Sequence, residues 1–83
     1  MMWFDYTTTA GLLCHYVDRK GSEQQYQVNY IQPLEVVKNV ASIINSNDIK
    51  EVTCAGIAYT LVQSIQQELM NTYHNNRVKF VEA

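Results

Sequence analysis

Met2-Trp3-Phe4-Asp5-Tyr6-Thr7-Thr8-Thr9 is the stretch whose reading decides how the rest of the chain is arranged. Large apolar side chains run up to a single carboxylate, Asp5, and three threonines follow within four residues. This reads as a short buried strand, Met2 to Asp5, ending in a turn over the threonines. The shortest and most apolar strand belongs in the middle of a sheet, flanked on both sides. The other elements are placed as its neighbours.

Ala10 to Asp18 is expected to be the second strand. Leu12, Cys14 and Tyr16 share one face of it, and Leu13, His15 and Val17 the other. Arg19-Lys20-Gly21-Ser22 makes a turn around the permissive glycine. Glu23 to Ile31 is the third strand, with Tyr26, Val28 and Tyr30 pointing one way and Gln25, Gln27 and Asn29 the other. Such alternation marks a strand with one wet face, and the pair should form an antiparallel hairpin. Pro33 opens a helix, where its missing N–H costs nothing. Val36, Val37, Val40, Ala41 and Ile44 form the helix's apolar stripe, and Asn45-Ser46-Asn47-Asp48 ends it.

Ile49 to Ala55 is the fourth strand, broken by Gly56. A second helix spans Ala58 to Tyr73, apolar at Ala58, Leu61, Val62, Ile65, Leu69 and Tyr73, and wet at Gln63, Gln66, Gln67 and Asn71. Val78 to Val81 is the fifth strand. A strand–helix–strand unit pairs its strands in parallel through a right-handed crossover. The expected fold is therefore α/β, β-β-β-α-β-α-β, with residues 1–83 as one domain. Its mixed five-stranded sheet runs in the order 3-2-1-4-5.

Composition narrows the function classes. A chain of 83 residues buries about 60–65 % of its unfolded surface, so its core is modest. Net charge is −2 and only 17 % of residues are charged, which disfavours nucleic acid and anionic membranes as partners. Two cysteines, Cys14 and Cys54, are too few for a disulfide framework and read as buried thiols in a reducing compartment. Lacking an 18-residue apolar run and a basic-then-apolar leader, the chain is expected to be soluble and cytoplasmic.

The element order resembles the ribonuclease H-like fold, and some residues extend the likeness. Asp5 looks like the first catalytic aspartate of that family. Glu35, in Leu34-Glu35-Val36-Val37 of the first helical turn, is similar to its catalytic glutamate, and Arg77-Val78-Lys79-Phe80-Val81-Glu82 to its fifth strand. The family's third carboxylate would fall in Cys54-Ala55-Gly56-Ile57-Ala58, where no acid stands. The fourth lies on a final helix, and this chain stops at Ala83. Two-metal hydrolysis needs several carboxylates to clamp two ions about 3.5–4 Å apart, so the resemblance implies a family member without catalysis. The alternative is a Mg2+-dependent nuclease, in which Asp5 and Glu35 are catalytic and metal-binding, helped by Glu82, Asp48 or a second subunit. A third reading is a nucleic-acid-binding remnant. Asp5 as a turn cap, aided by Thr7 and Thr8, and Glu35 as a helix N-terminal charge are the plain structural readings.

The same fold core occurs in actin-like ATPases and sugar kinases, whose strand-one loop Asp5-Tyr6-Thr7-Thr8-Thr9-Ala10-Gly11 is similar to. Those enzymes close two domains around the nucleotide, and here there is one. His15 and His74 lack the ligand spacing of a structural zinc site. No serine or cysteine is flanked by a recognisable base, and Gly56-Ile57-Ala58 is not a phosphate loop. Tyr26, Val28 and Tyr30 on the third strand are the candidate partner-binding residues, core residues if they point inward. That strand's edge lacks a proline or lysine guard apart from Lys20 in the turn, so a protein partner or a second copy could extend the sheet. The functional expectation is a non-catalytic protein-binding or self-associating module without cofactor. In its small, acidic, Gln/Asn-rich character the chain also resembles phage or mobile-element accessory proteins.

Overall fold

A computed structural model describes residues 1–7, 11–28 and 33–82. Met2–Thr7 (β1), Gly11–Val17 (β2) and Glu23–Val28 (β3) come first, followed by Pro33–Ser46 (α1). Glu51–Thr53 (β4), Tyr59–Tyr73 (α2) and Lys79–Val81 (β5) complete the order. The sheet runs β3-β2-β1-β4-β5, antiparallel from β1 through β3 and parallel from β1 through β5. Topology and central strand are as the sequence implies.

The extents of β1 and β4 differ most from expectation, and the other described ends agree to within one residue. β1 does not end at Asp5 but continues to Thr7, with Asp5 paired to Leu13, Tyr6 to Leu12 and Thr7 to Gly11. Tyrosine and threonine suit a pleated strand, and β2 offers them a ladder, so Asp5 is a mid-strand residue and not a turn cap. Nor is β1 the shortest strand: it has 6 residues against 3 in β4 and in β5. β4 is bounded on both sides by chain reversals, although the Lys50 carbonyl and the Cys54 N–H still bond to Lys79 and Val81 of β5, each at 2.8 Å. The N–H of Ile49 caps α1 by donating to the Ile44 carbonyl at 3.0 Å, and Cys54 accepts the Ile57 N–H at 3.3 Å across a turn with Gly56 at φ +81°. Only glycine takes that angle at no cost. The expected continuation of β3 through Asn29, Tyr30 and Ile31 lies outside the described residues.

Alternation along the strands sorts the side chains into two faces. Met2, Phe4, Leu12, Cys14, Val28 and Val52 enter one hydrophobic core with Val36, Val40, Ala41 and Ile44 of α1 and Val62, Ile65 and Leu69 of α2. Both helices therefore cover the same face. The other face carries Trp3, Asp5, Leu13, His15, Val17 and Thr53, and no helix of the described residues covers it.

The β2–β3 turn is held by Asp18, whose Oδ1 accepts the N–H groups of Lys20 and Ser22, each at 2.9 Å. Its Oδ2 accepts from Gln24 Nε2 at 3.1 Å, and Gly21 takes φ +83°. The result is a three-residue hairpin loop closed by a left-handed glycine. At the far end of α1, Ile49 N–H bonds to Ile44 and Asp48 N–H reaches Asn45 O at 3.4 Å, with Asp48 at φ 52°. This is a Schellman ending, and its usual apolar contact is supplied by Ile44 and Ile49, both buried. Asn75, 7 % exposed, ties the two helix ends together by donating to Asn45 Oδ1 at 3.4 Å.

Candidate functional site

Strand alternation sends the Asp5 side chain to the face opposite Phe4, and Phe4 points to the helices. Glu35 lies in the exposed first turn of α1, within the helix layer on the other side of the sheet. The two acids of the catalytic alternative thus lie on opposite sides of the sheet. Among the described residues, no three His, Cys, Asp or Glu side chains gather closely enough to hold a metal ion.

The partner that the fold gives Asp5 is His15. Asp5 Oδ2 lies 3.2 Å from His15 Nε2, with the carboxylate side chain 61 % exposed and the imidazole 10 % exposed. The distance is that of an ion pair, but neither imidazole nitrogen makes a well-aligned hydrogen bond. Trp3, directly opposite His15 in the β1–β2 register, stacks on the imidazole with centroids 5.2 Å apart and planes 8° from parallel. That stack covers one side of a histidine that is buried on a face no helix of the described residues covers. The sequence reading separated Cys14 from His15 correctly, but it missed the pairing with Trp3. Only the register could reveal it.

Leu13, Val17, Thr53 and Val81 surround this cluster and are half-buried. Gln25, Gln27, Glu51 and Lys79 frame it and are exposed. Chemically, the face is an aromatic and aliphatic patch with a polar rim. Among the described residues it has one carboxylate near its centre, Asp5.

Tyr26 and Val28 face the helices. Val28 is 3 % exposed, and Tyr26 is half-buried with its hydroxyl accepting from Asn39 Nδ2 at 3.0 Å. Their side chains therefore serve the core and do not form an outward patch; Tyr30 lies outside the described residues. The Tyr26 hydroxyl explains the inward choice, because α1 supplies a hydrogen-bond partner for a ring that would otherwise bury a bare polar atom. What β3 offers a partner is its backbone edge, with Glu23, Gln24, Gln25 and Gln27 exposed along it.

The cysteines are free and buried. Burial pushes the Cys14 thiol up to about 12. Burial, together with the charge of Glu82, also raises Cys54. Neither has the low pKa of a nucleophile. His74 is exposed at the C-terminus of α2 in a left-handed conformation, φ 51°, and its N–H donates to Met70 O at 3.1 Å. It serves the chain reversal, apart from the other site residues.

A concavity of about 790 Å³ lies where α1 meets α2, floored by Val37 and Leu61 and rimmed by Leu34, Ser64, Glu68 and Asn71. Leu34 is 67 % exposed there. No helix of the described residues is long and apolar enough to cross a membrane. No protein-family model, no curated protein and no solved structure matches this chain, so its site is defined by its own residues: an open sheet face centred on Trp3, His15 and Asp5.

Proposed function

We propose that this chain is a small, non-catalytic protein of ribonuclease H-like fold that works as a protein-binding or self-associating module. The observation that carries the reading is one-sided coverage of the sheet: both helices pack on one face and leave Trp3, Leu13, Val17 and Val81 on the other. An apolar face with a polar rim is what an interface offers. The kinship with ribonuclease H rests on strand order alone, because Asp5 and Glu35 lie on opposite sides of the sheet. The low net charge favours protein over nucleic acid as partner.

The test combines capture with an activity assay. A photo-crosslinking residue at Thr53, on the open face, is expected to trap a discrete protein partner or a second copy in the source cells. The same residue at Gln66, on the exposed side of α2, is expected to trap neither. The purified chain with Mg2+ is expected to leave an RNA–DNA hybrid intact. Mg2+-dependent cleavage that disappears in Asp5→Asn would replace this reading with a nuclease, and equal absence of crosslinks from both positions would remove it.

A further inference from the structure

We infer that the open face of the sheet is a two-fold interface between two copies of this chain, with Trp3 on the axis. The inference rests on the binding-module reading above and names its partner. Its ground is the arrangement of charge across the face. The ladders align Glu23 with Val17 and Glu51 with Lys79, and the Val17 N–H donates to Met1 O at 3.1 Å. The β1–β4 pairing of Met2 with Val52 places Glu51 level with Met1. One row across the sheet is therefore Glu23, Val17, Met1, Glu51, Lys79. The next row on the same face is Gln25, His15, Trp3, Thr53, Val81.

An acid stands at one end of the first row and a base at the other, with β1 at the centre. A two-fold axis along β1 lays β3 of one copy over β5 of the second. Glu23 then meets Lys79 of the second copy, and the reciprocal pair forms on the other side. In the second row Trp3 meets its own copy, His15 meets Thr53, and Gln25 meets Val81. An axis across the strands would instead lay β3 on β3 and β5 on β5, matching no opposite charges. Aligned sheets pack about 10 Å apart at a crossing near 30°, which Trp3 is long enough to bridge. Two same-face rows span all five strands and a third spans β1 to β3 only, because β4 and β5 have 3 residues each. At about 4.8 Å between strands and about 6.7 Å between rows this is roughly 400 Å² per copy. The total, on the order of 800 Å², lies below the usual size of a stable specific interface, so the dimer is weak and transient. Asp5 lies near the axis and would face its own copy. Its carboxylate is drawn toward β2 by His15 at 3.2 Å, which lessens the like-charge contact without removing it.

Sedimentation equilibrium from micromolar to millimolar chain tests this on the wild type, Glu23→Lys, Lys79→Glu and the double reversal, with far-UV circular dichroism to confirm folding. Glu23 and Lys79 are exposed, so the fold should tolerate both changes. The wild type is expected to dimerise. Each single reversal should weaken the dimer about tenfold, and the double reversal should restore it to within about threefold. Asp5→Asn should tighten it. A monomer mass at every concentration overturns the inference, as does association that ignores the charge reversals. Amide protection gained along β3 with no response to them would assign assembly to the strand edge. That outcome overturns the face-to-face dimer but leaves the binding-module reading standing, whereas loss of the Thr53 crosslinks removes that reading itself.

Discussion

Asp18 shows how much one side chain can organise. Its carboxylate receives two backbone N–H groups and the Gln24 amide, and these bonds hold the acid below its ordinary range, the Ser22 N–H most strongly. A depressed folded pKa means that the unfolded chain takes up the proton first. The stabilisation is therefore fully present above about pH 4, the unfolded value, and is lost as pH falls through the lower folded value. Urea unfolding between pH 5 and 2 should show an acid limb of falling stability that flattens in Asp18→Asn. If the limb is unchanged, the carboxylate does not hold the hairpin. His15 is a different case. Burial leaves its ring nitrogens without well-aligned bonds, and stacking on Trp3 and the nearness of Asp5 are what the fold gives in return. The sequence marks His15 only as the residue facing away from Cys14; its two partners come from a different strand.

At the scale of elements, the helices were legible because apolar residues repeat every three or four positions over 14 residues in α1 and 15 in α2. Their ends were legible through residue type: proline at the start of α1, and an Asn/Asp-rich stretch after it. Strands were less so. β1 ran past Asp5 because pairing with β2 outweighs the turn preference of a threonine-rich stretch, and β4 is confined between the α1 ending at Ile49 and the turn at Gly56. The α1 ending supplies a test. Asp48 occupies a left-handed conformation that costs an ordinary residue about 1 kcal/mol and glycine almost nothing. Asp48→Gly should raise stability by about 0.5–1 kcal/mol, less the greater freedom it gives the unfolded chain. Chemical denaturation should show the midpoint moving up with an unchanged slope. A lower midpoint would mean that the Asp48 side chain contributes more than its backbone costs.

For the molecule as a whole, one core serves both helices and all five strands, β5 through the half-buried Phe80. Ile44 is fully buried in that core and also makes the apolar contact of the Schellman ending. Ile44→Ala should cost about 2–5 kcal/mol. That is a large part of the roughly 4–12 kcal/mol expected for a chain of this size. Thermal melts should find the midpoint of this variant lowered by about 10 °C or more, and Gln66→Ala within about 0.5 kcal/mol of the wild type. Equal losses in the two would contradict the burial pattern.

Strand order followed from the chain alone, because periodicity gives the elements and the handedness of strand–helix–strand units leaves few ways to join them. Tertiary structure alone decided which way the carboxylates point and which side of the sheet the helices choose. Asp5 and Glu35 sit at plausible places in the sequence, yet a strand sends alternate side chains to opposite faces. Both helices took the face lined by Met2, Phe4, Leu12 and Val28, leaving Trp3, His15 and Asp5 together on the other, because contacts between strands depend on register, and register is settled only when the whole sheet assembles.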